Sequence, residues 1–519
     1  MVLLRSIITI GGLTMVSRVL GFIRDMLIAA VLGAGPVADA FFVAFRLPNL
    51  FRALFAEGAF SAAFVPLFAK RVEAEGEARA VAFAEQAFSV LLAALLVFLI
   101  LFEIAMPVLI YVIAPGFADV PEQVALAVAF ARITFPYLLF ISLVSLMGGI
   151  LNSLGRFAAA AATPILLNLA MIAAALALAP VTPTAGHALA WGVAAAGALQ
   201  FLWLFYFCGR EGVWLRLPRP RLTPEVRLLV RRMLPVALGA GIYQVNLTIN
   251  TALASWLPPG SVSYLFYADR VNQLPLGVVG IAVSTALLPL LARQLRAGHA
   301  RAAMHSQNRA LEFTLLLTLP AATGLIVLAS PVMSVLFERG AFGPAEAQAT
   351  ATALAAYASG LPAYVLIKAL TPGFFAREDT RTPVKVAGVC AVINVGLNLI
   401  LMWPFSYVGI AISTAVAFWI NAGALAVILW QRGHLSIDER LRSRLPRVVA
   451  ATAAMGAVCA FLHLGVLGPW LDGDQFHRIA ALAILNGSGL VTFALAAQVL
   501  GAAGIRDLRG FVKGPDAAA

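Results

Sequence analysis

Charged residues are scarce in this sequence. Asp, Glu, Lys and Arg make up 12% of the 519 residues and hydrophobic residues 62%, whereas soluble domains are usually about 25% charged. There are only three cysteines and six histidines, with no CxxC pair and no histidine at metal-binding spacing. The sequence therefore argues against a soluble domain, a disulfide framework and a metal centre, and we expect no cofactor. It indicates a polytopic membrane protein.

Long apolar runs fill the chain from end to end. A helix needs about 20 apolar residues to cross roughly 30 Å of hydrocarbon. We predict an all-α protein with fourteen transmembrane helices, with approximate limits 7–32, 37–69, 81–113, 124–152, 158–180, 185–207, 228–256, 261–292, 307–336, 346–375, 383–402, 407–430, 446–467 and 477–501. We expect the second and eighth segments, which are longer than one crossing, to be bent at proline rather than doubled, with a break at Pro48.

The positions of the basic residues predict the orientation. With a cytoplasmic N-terminus, the inside segments hold 27 of the 36 lysines and arginines, and the outside loops hold only Arg339 and Arg478. This distribution follows the positive-inside rule and predicts that both termini are cytoplasmic. The net charge of +12 is then a topology signal, and we expect no nucleic-acid partner.

One internal repeat predicts the domain organisation. Residues 59–70 read AFSAAFVPLFAK and residues 282–293 read AVSTALLPLLAR, at an offset of 223. This offset corresponds to six spans, which predicts two parallel six-helix lobes around a central cavity plus two additional C-terminal helices. The expected boundaries are 1–210 for the N-lobe, 211–435 for the C-lobe, and 436–519 for helices 13 and 14 with the tail.

Several charged side chains lie inside the apolar segments, where each one is costly and indicates function. The first, second and eighth segments hold Arg18, Arg24, Arg46, Arg52 and Arg270 against Asp25, Asp39, Glu57 and Asp269, and the tenth adds Lys368. The positive excess predicts a cationic cavity for an anion, and arginine in particular suits phosphate. Structural ion pairs between helices are the alternative.

Helical spacing predicts how some of these charges pair. Arg18 and Asp25 are seven residues apart and so are Asp39 and Arg46, which places each pair on one helical face, whereas Arg24 points elsewhere.

The second segment is rich in phenylalanine, with eight of these residues between positions 41 and 68. They either line an apolar path for a lipid tail or face the lipid bilayer.

Asparagines in later segments are weak candidates for an ion site. Asn394 and Asn398 lie one helical turn apart, near Thr414 in the next segment. Their oxygens could coordinate a cation, although interhelical hydrogen bonds are the alternative.

Five segments carry a resemblance to a known family, the bacterial MurJ/MviN lipid II flippases of the multidrug/oligosaccharidyl-lipid/polysaccharide exporter superfamily. The similar segments are SRVLGFIRD (17–25), GAGPVADAFFVAFRLPNLFRALFAEGAFSAAFVP (33–66), APGFADV (114–120), SVSYLFYADR (261–270) and TPGFFAREDTRTPVK (371–385).

The resemblance implies a flippase rather than an enzyme. Such a protein moves the undecaprenyl-pyrophosphate-linked peptidoglycan precursor, lipid II, from the cytoplasmic to the periplasmic leaflet of the bacterial inner membrane by alternating access. Membrane potential or an ion gradient would drive it, and helices 13 and 14 would form a groove for the lipid tail. We expect a monomer in contact with membrane lipids and with the peptidoglycan synthesis machinery.

The family's functional residues carry over to named positions. They are Arg18, Arg24, Asp39, Asn49, Arg52, Ser263 and Arg270, and all of them except Asp39 form the predicted substrate-binding set. The predicted supporting set combines Asp39 with the other charges of the apolar segments and one glutamine: Asp25, Arg46, Glu57, Asp269, Gln273 and Lys368. Gln273 stands where some members have an acidic residue, and Arg46 where lysine can occur. Asn250, Asn394 and Asn398 offer no carboxylate to a sodium ion.

These residues suggest specific roles. Arg24, Arg52 and Arg270 would bind the pyrophosphate, Arg18 would act through Asp25, and Asp39 would hold an arginine in place. Two alternatives remain open: an exporter of another polyprenyl-linked glycan or of drugs, and a membrane enzyme acting on polyprenyl pyrophosphate.

Overall fold

The computed structural model describes residues 2–53 and 59–502, and this part of the chain is α-helical with no β-strand. Residues 54–58 and 503–519 lie outside the described residues, and Glu57 is among them. The helices fall into two compact units.

Unit 1 comprises Met1–Ser263 and Arg339–Gly343. Its helices are α1 (Val2–Leu32), α2 (Pro36–Phe51), α3 (Ala59–Glu75), α4 (Glu77–Ile113), α5 (Pro121–Thr134), α6 (Tyr137–Ser153), α7 (Phe157–Ala173), α8 (Ala185–Arg210) and α9 (Pro224–Ala254). Proline occupies the first position of α2, α5 and α9, where no backbone N–H is needed and φ is already helical.

Aromatic packing holds the middle of unit 1 together. Helix α1 packs on α7, α2 packs on α5, and α6 packs on α8. Phe60, Phe64 and Phe68 of α3 are buried against α4 and α6, with neighbouring rings stacked. The described phenylalanines of this region are thus mainly core residues. We expected them to contact a lipid tail or the bilayer, but neighbouring helices cover their apolar face.

Unit 2 comprises Tyr264–Glu338 and Pro344–Ala519. Its helices are α10 (Ser261–Arg296), whose first residues belong to unit 1, then α11 (Ala300–Val327), α12 (Ala329–Phe337), α13 (Pro344–Ala358), α14 (Leu361–Phe375), α15 (Arg381–Gln431), α16 (Glu439–Phe461), α17 (Gly468–Leu471) and α18 (Gln475–Val499). Helix α15 is 51 residues long and contains a kink at Ser406, where φ is 51° and ψ is −140°.

An ion-pair cluster joins the start of α16 to α11. Glu312 of α11, whose side chain is 6% exposed, pairs with Arg309, Arg440 and Arg444. Arg309 also pairs with Asp438, which caps α16 by accepting a hydrogen bond from the Leu441 backbone N–H at 2.8 Å. Helix α18 then packs on α16. A helix cap and a carboxylate shared with α11 therefore fix where α16 begins.

The predicted spans overlap helices of the structure, and several of them contain two helices. Among the described residues, nine helical stretches are long and apolar enough to cross a membrane: α4, α5 with α6, α7, α8, α11, α13 with α14, α15, α16 and α18. The kink in α15 separates the two spans predicted at 383–402 and 407–430. The prediction of a polytopic, all-helical membrane protein is confirmed. The count of fourteen, the lobe arrangement and the boundaries at 210 and 435 stay predictions.

The expected break at Pro48 is wrong. Helix α2 runs through Pro48 to Phe51. The second segment is described as two helices, α2 and α3, with residues 54–58 between them outside the described part.

Candidate functional site

Arg24 is held by hydrogen bonds within α1 and to α7. It lies on α1, which packs against α7, and its side chain is 12% exposed. Its Nε and Nη2 donate to Asp25 Oδ1 at 3.0 and 2.8 Å, and its Nη1 donates to Asn168 Oδ1 of α7 at 2.9 Å. The Asn168 amide in turn donates to the Ser17 backbone carbonyl at 2.8 Å. Asn168 thus joins α1 to α7 and orients the guanidinium.

The pairing predicted between Arg18 and Asp25 is wrong. Asp25 pairs with its neighbour Arg24, whereas Arg18 is exposed and makes no ion pair among the described residues. A seven-residue spacing places two side chains on one face but about 10 Å apart along the axis. The guanidinium of Arg24, on the neighbouring residue, reaches the Asp25 carboxylate instead.

Asp39 of α2 also has a different partner from the one expected. Its side chain accepts hydrogen bonds at the N-terminus of α10: from the Gly260 backbone N–H at 2.6 Å, the Ser263 backbone N–H at 2.8 Å and the Ser263 hydroxyl at 2.5 Å. Asp39 is 2% exposed and Ser263 is fully buried. Instead of holding an arginine, Asp39 satisfies backbone donors that the first turn of a helix leaves open, where the helix dipole also favours a negative charge.

The remaining predicted residues of α2 form a short polar strip. Arg46 Nε donates to Thr251 Oγ1 of α9 at 3.4 Å. Arg52 Nε donates to Asn49 Oδ1 at 3.3 Å, and the Asn49 amide donates to the Phe45 carbonyl at 2.9 Å. Asn49 and Arg52 are thus neighbours, as their three-residue spacing predicts.

In unit 2, the predicted cations lie beside aromatic rings. The Arg270 guanidinium lies 4.7 Å from the centre of the Phe266 ring, and Lys368 Nζ lies 5.3 Å from the centre of the Tyr364 ring. Gln273 donates a hydrogen bond to Asp269 one helical turn earlier. Such cation–π contacts stabilise a cation where few water molecules reach it.

The asparagines proposed for an ion site hydrogen-bond to each other. Asn398 Nδ2 donates to Asn394 Oδ1 at 3.4 Å, and both side chains are buried in unit 2. The Thr414 hydroxyl donates to the Ile410 carbonyl of its own helix at 2.9 Å. Asn250 is buried in unit 1. No group of three or more His, Cys, Asp or Glu side chains in the described part could hold a metal ion.

Sequence reasoning missed Asn168 and Thr251. Each is a polar residue inside an apolar segment, and each is buried and contacts a predicted arginine. The available signal was the rarity of such side chains, since a polar residue in a membrane helix normally faces another helix.

These features together define a class of protein: an all-helical polytopic membrane protein that holds cationic side chains inside otherwise apolar helices, as membrane transporters do. The model of the family "Lipid II flippase MurJ" matches residues 28–481. The "Probable lipid II flippase MurJ" of Rhizobium meliloti is 50% identical over 461 residues, covering 88% of this chain and 86% of the relative. The "Lipid II flippase MurJ" of Burkholderia cenocepacia is 37% identical, covering 93% and 94%. The chain belongs to the MurJ lipid II flippase family.

Solved structures agree at the level of the fold. A lipid II flippase MurJ in an inward closed conformation has a TM-score of 0.77 at 23% identity, covering 95% of this chain and 99% of that one. An inward-facing multidrug resistance MATE family transporter of the MOP superfamily has a TM-score of 0.65 at 14% identity, covering 82% and 97%.

Proposed function

We propose that this protein flips lipid II from the cytoplasmic to the periplasmic leaflet of the inner membrane by alternating access, and that arginines within its apolar helices bind the pyrophosphate. Family membership, with a relative at 50% identity over most of both chains, carries the proposal. We further propose that both termini are cytoplasmic and that membrane potential or an ion gradient drives transport.

The geometry of Arg24 supports the pyrophosphate assignment. A guanidinium has five N–H donors, and three of those of Arg24 bond to Asp25 and Asn168. The other two N–H groups, one on each Nη atom, have no partner in the described part of the chain. A phosphate group accepts such donors through charge-assisted hydrogen bonds, and the fixed guanidinium loses little conformational freedom on binding.

The other predicted site residues enter the proposal as direct or indirect participants. Arg52 and Arg270 are proposed to bind phosphate oxygens as well. Asp39 and Ser263 are proposed to act indirectly, because their polar atoms are engaged with each other and with the start of α10. Arg18 is exposed on α1 and takes no part in the Arg24–Asp25 ion pair. It is proposed to contact the substrate separately from that pair.

Growth of cells that have this protein as their only lipid II flippase tests the proposal. Arg24→Lys keeps the charge but removes the planar fork, so we expect slow growth or none at wild-type expression. Arg156→Lys is the matched control, because Arg156 is exposed and pairs with Glu211 outside the apolar segments; it should grow normally. Normal growth of Arg24→Ala, Arg52→Ala and Arg270→Ala would overturn the pyrophosphate assignment.

A further inference from the structure

The chain between α8 and α9 carries exposed arginines on the predicted cytoplasmic side of unit 1. Residues 213–223 have no regular secondary structure. Inward and outward positions alternate where this stretch begins: Val213 and Leu215 are buried in the core of unit 1, whereas Trp214 and Arg216 are exposed. We call residues 214–222 the basic segment.

Helix α4 holds the backbone of the basic segment. Glu85 accepts a hydrogen bond from the Arg216 backbone N–H at 3.0 Å. The side-chain amide of the next residue, Gln86, donates to the carbonyls of Arg219 and Arg221, both at 3.0 Å. The backbone is therefore tied to α4 along most of the segment, while the three arginines themselves are exposed.

These arginines have no carboxylate partner. None of the three makes an ion pair in the described part of the chain. The glutamates that flank the segment are paired elsewhere in unit 1, Glu211 with Arg156 and Glu225 with Arg71. Guanidinium groups that are held near one another and left unpaired favour a ligand with several negative oxygen atoms, such as phosphate groups.

Large apolar side chains are interleaved with the arginines and are exposed as well. Trp214, Leu217 and Leu222 expose 60%, 65% and 60% of their surface. Leaving such surface in water costs free energy, because apolar area is stabilised by removal from water. Arginine alternating with tryptophan and leucine is typical of segments that lie in the interface of a bilayer.

The contacts of Trp214 place it beside a membrane helix. Its ring lies edge-to-face against Phe205 of α8, with the ring centres 5.9 Å apart. The ring also covers Gly209 of the same helix, where a Cβ would come within 2.7 Å of it. Helix α8 is long and apolar enough to cross a membrane, and both residues lie near its C-terminal end. Tryptophan at the end of a membrane helix commonly lies at the level of the lipid headgroups.

We propose that the basic segment binds the headgroups of anionic phospholipids in the inner leaflet. Its three arginines contact the phosphate oxygens, while Trp214 and the two leucines enter the boundary between headgroups and acyl chains. An acidic soluble protein would match the charges, but the contact of Trp214 with a membrane helix favours lipid. The site lies within unit 1, and lipid binding there does not depend on which substrate the protein moves.

A spin label on the basic segment tests where it lies. Leu217→Cys provides the labelling position, because the three native cysteines are buried. The full-length protein is placed in nanodiscs of phosphatidylcholine, with or without phosphatidylglycerol. Phosphatidylglycerol should increase collisions of the label with oxygen, which dissolves in lipid, and decrease collisions with a nickel chelate in water. A label at Ala297→Cys, exposed between α10 and α11, is the control and should not respond.

Removal of charge tests the arginines. An arginine near an anionic surface strengthens binding about fivefold, and three together do so roughly 100-fold. The triple change Arg216→Gln, Arg219→Gln and Arg221→Gln should therefore abolish the response of the label at position 217. The matched control removes the same charge from exposed arginines around the loop between α10 and α11, and it should retain the response: Arg293→Gln, Arg296→Gln and Arg301→Gln. A thermal transition close to that of wild type would show that each variant is folded.

Three results would overturn the proposal. The first is a label at position 217 that stays in water in both kinds of nanodisc, and the second is an unchanged response in the triple variant of the basic segment. The third is immobilisation of the label in phosphatidylcholine nanodiscs by glycerol 1-phosphate or by poly-glutamate, which would assign the segment to a soluble phosphate or to an acidic protein. None of these samples contains lipid II, so the outcome is independent of the proposed function.

Discussion

Asp39→Asn should destabilise unit 1 far more than an equivalent change at an exposed helix cap. In the wild type, Oδ1 accepts two hydrogen bonds from Ser263 and Oδ2 accepts one from Gly260. Asparagine has almost the same shape, but its amide nitrogen cannot accept the bond from the Gly260 N–H. A buried donor is then left without a partner, and the negative charge at the start of α10 is lost.

The magnitude follows from these two losses. An unsatisfied buried donor costs about 1–3 kcal/mol, and loss of a charge at a helix N-terminus costs about 0.3–1 kcal/mol, rising to ~2 kcal/mol when it is partly buried. We expect about 2–4 kcal/mol in total, and even ~2 kcal/mol lowers the folded-to-unfolded ratio by roughly 30-fold. Ser263→Ala removes only the hydroxyl donor and should cost about 1 kcal/mol.

The buried cysteines provide the assay. Cys208 lies in unit 1, and Cys390 and Cys459 lie in unit 2; all three are free and buried. Mass spectrometry after labelling with a maleimide during a mild temperature ramp should show earlier modification of Cys208 in Asp39→Asn. The control is Asp474→Asn, because Asp474 is an exposed cap of α18 and asparagine caps a helix as well as aspartate does. Equal labelling of Cys208 in the two variants would refute the reasoning.

Three further predictions concern other polar contacts. Asn168→Leu removes the bond that orients Arg24 and should reduce lipid II flipping several-fold while Cys208 labelling stays near wild type; unchanged flipping would contradict this role. Glu312→Gln leaves three arginines around an uncharged side chain, so it should cost about 3–5 kcal/mol and expose Cys459 of α16 to the maleimide earlier. Hydrogen bonds to its carboxylate, the strongest effect coming from Thr382 and the next from Arg432, lower the pKa of Asp379. The stability that the ionised Asp379 carboxylate gives to the folded protein is therefore present above the ordinary aspartate pKa of about 3.9, and it is lost as the pH falls below that value. Asp379→Asn should reduce the acid sensitivity of thermal unfolding, and an unchanged acid profile would argue against this linkage.

Sequence composition was sufficient to predict the class of protein and the approximate location of most apolar helices. Apolar length, proline and charge determine where a membrane helix can begin and end, and these are local properties. The kink at Ser406 falls between two spans that were separated by hydropathy alone. The family could also be recognised, because its motifs lie in contiguous segments such as 17–25 and 261–270.

Side-chain partners were harder to predict because they depend on packing between distant segments. Asp39 bonds to residues more than 200 positions away, and spacing within α2 holds no information about them. Arg24 obtains its third hydrogen bond from α7, so the pairing within α1 was misjudged when α1 was considered alone.

Reconstituted flipping tests the central claim most directly. Full-length protein in liposomes, with lipid II supplied in one leaflet, should move it to the other leaflet. We expect Arg24→Ala to abolish this movement and the Asp474→Asn cap variant to retain it. Equal flipping by Arg24→Ala and wild type would contradict pyrophosphate binding by Arg24. Absence of flipping by wild type, together with export of drugs or of another polyprenyl-linked glycan, would contradict the proposed function itself.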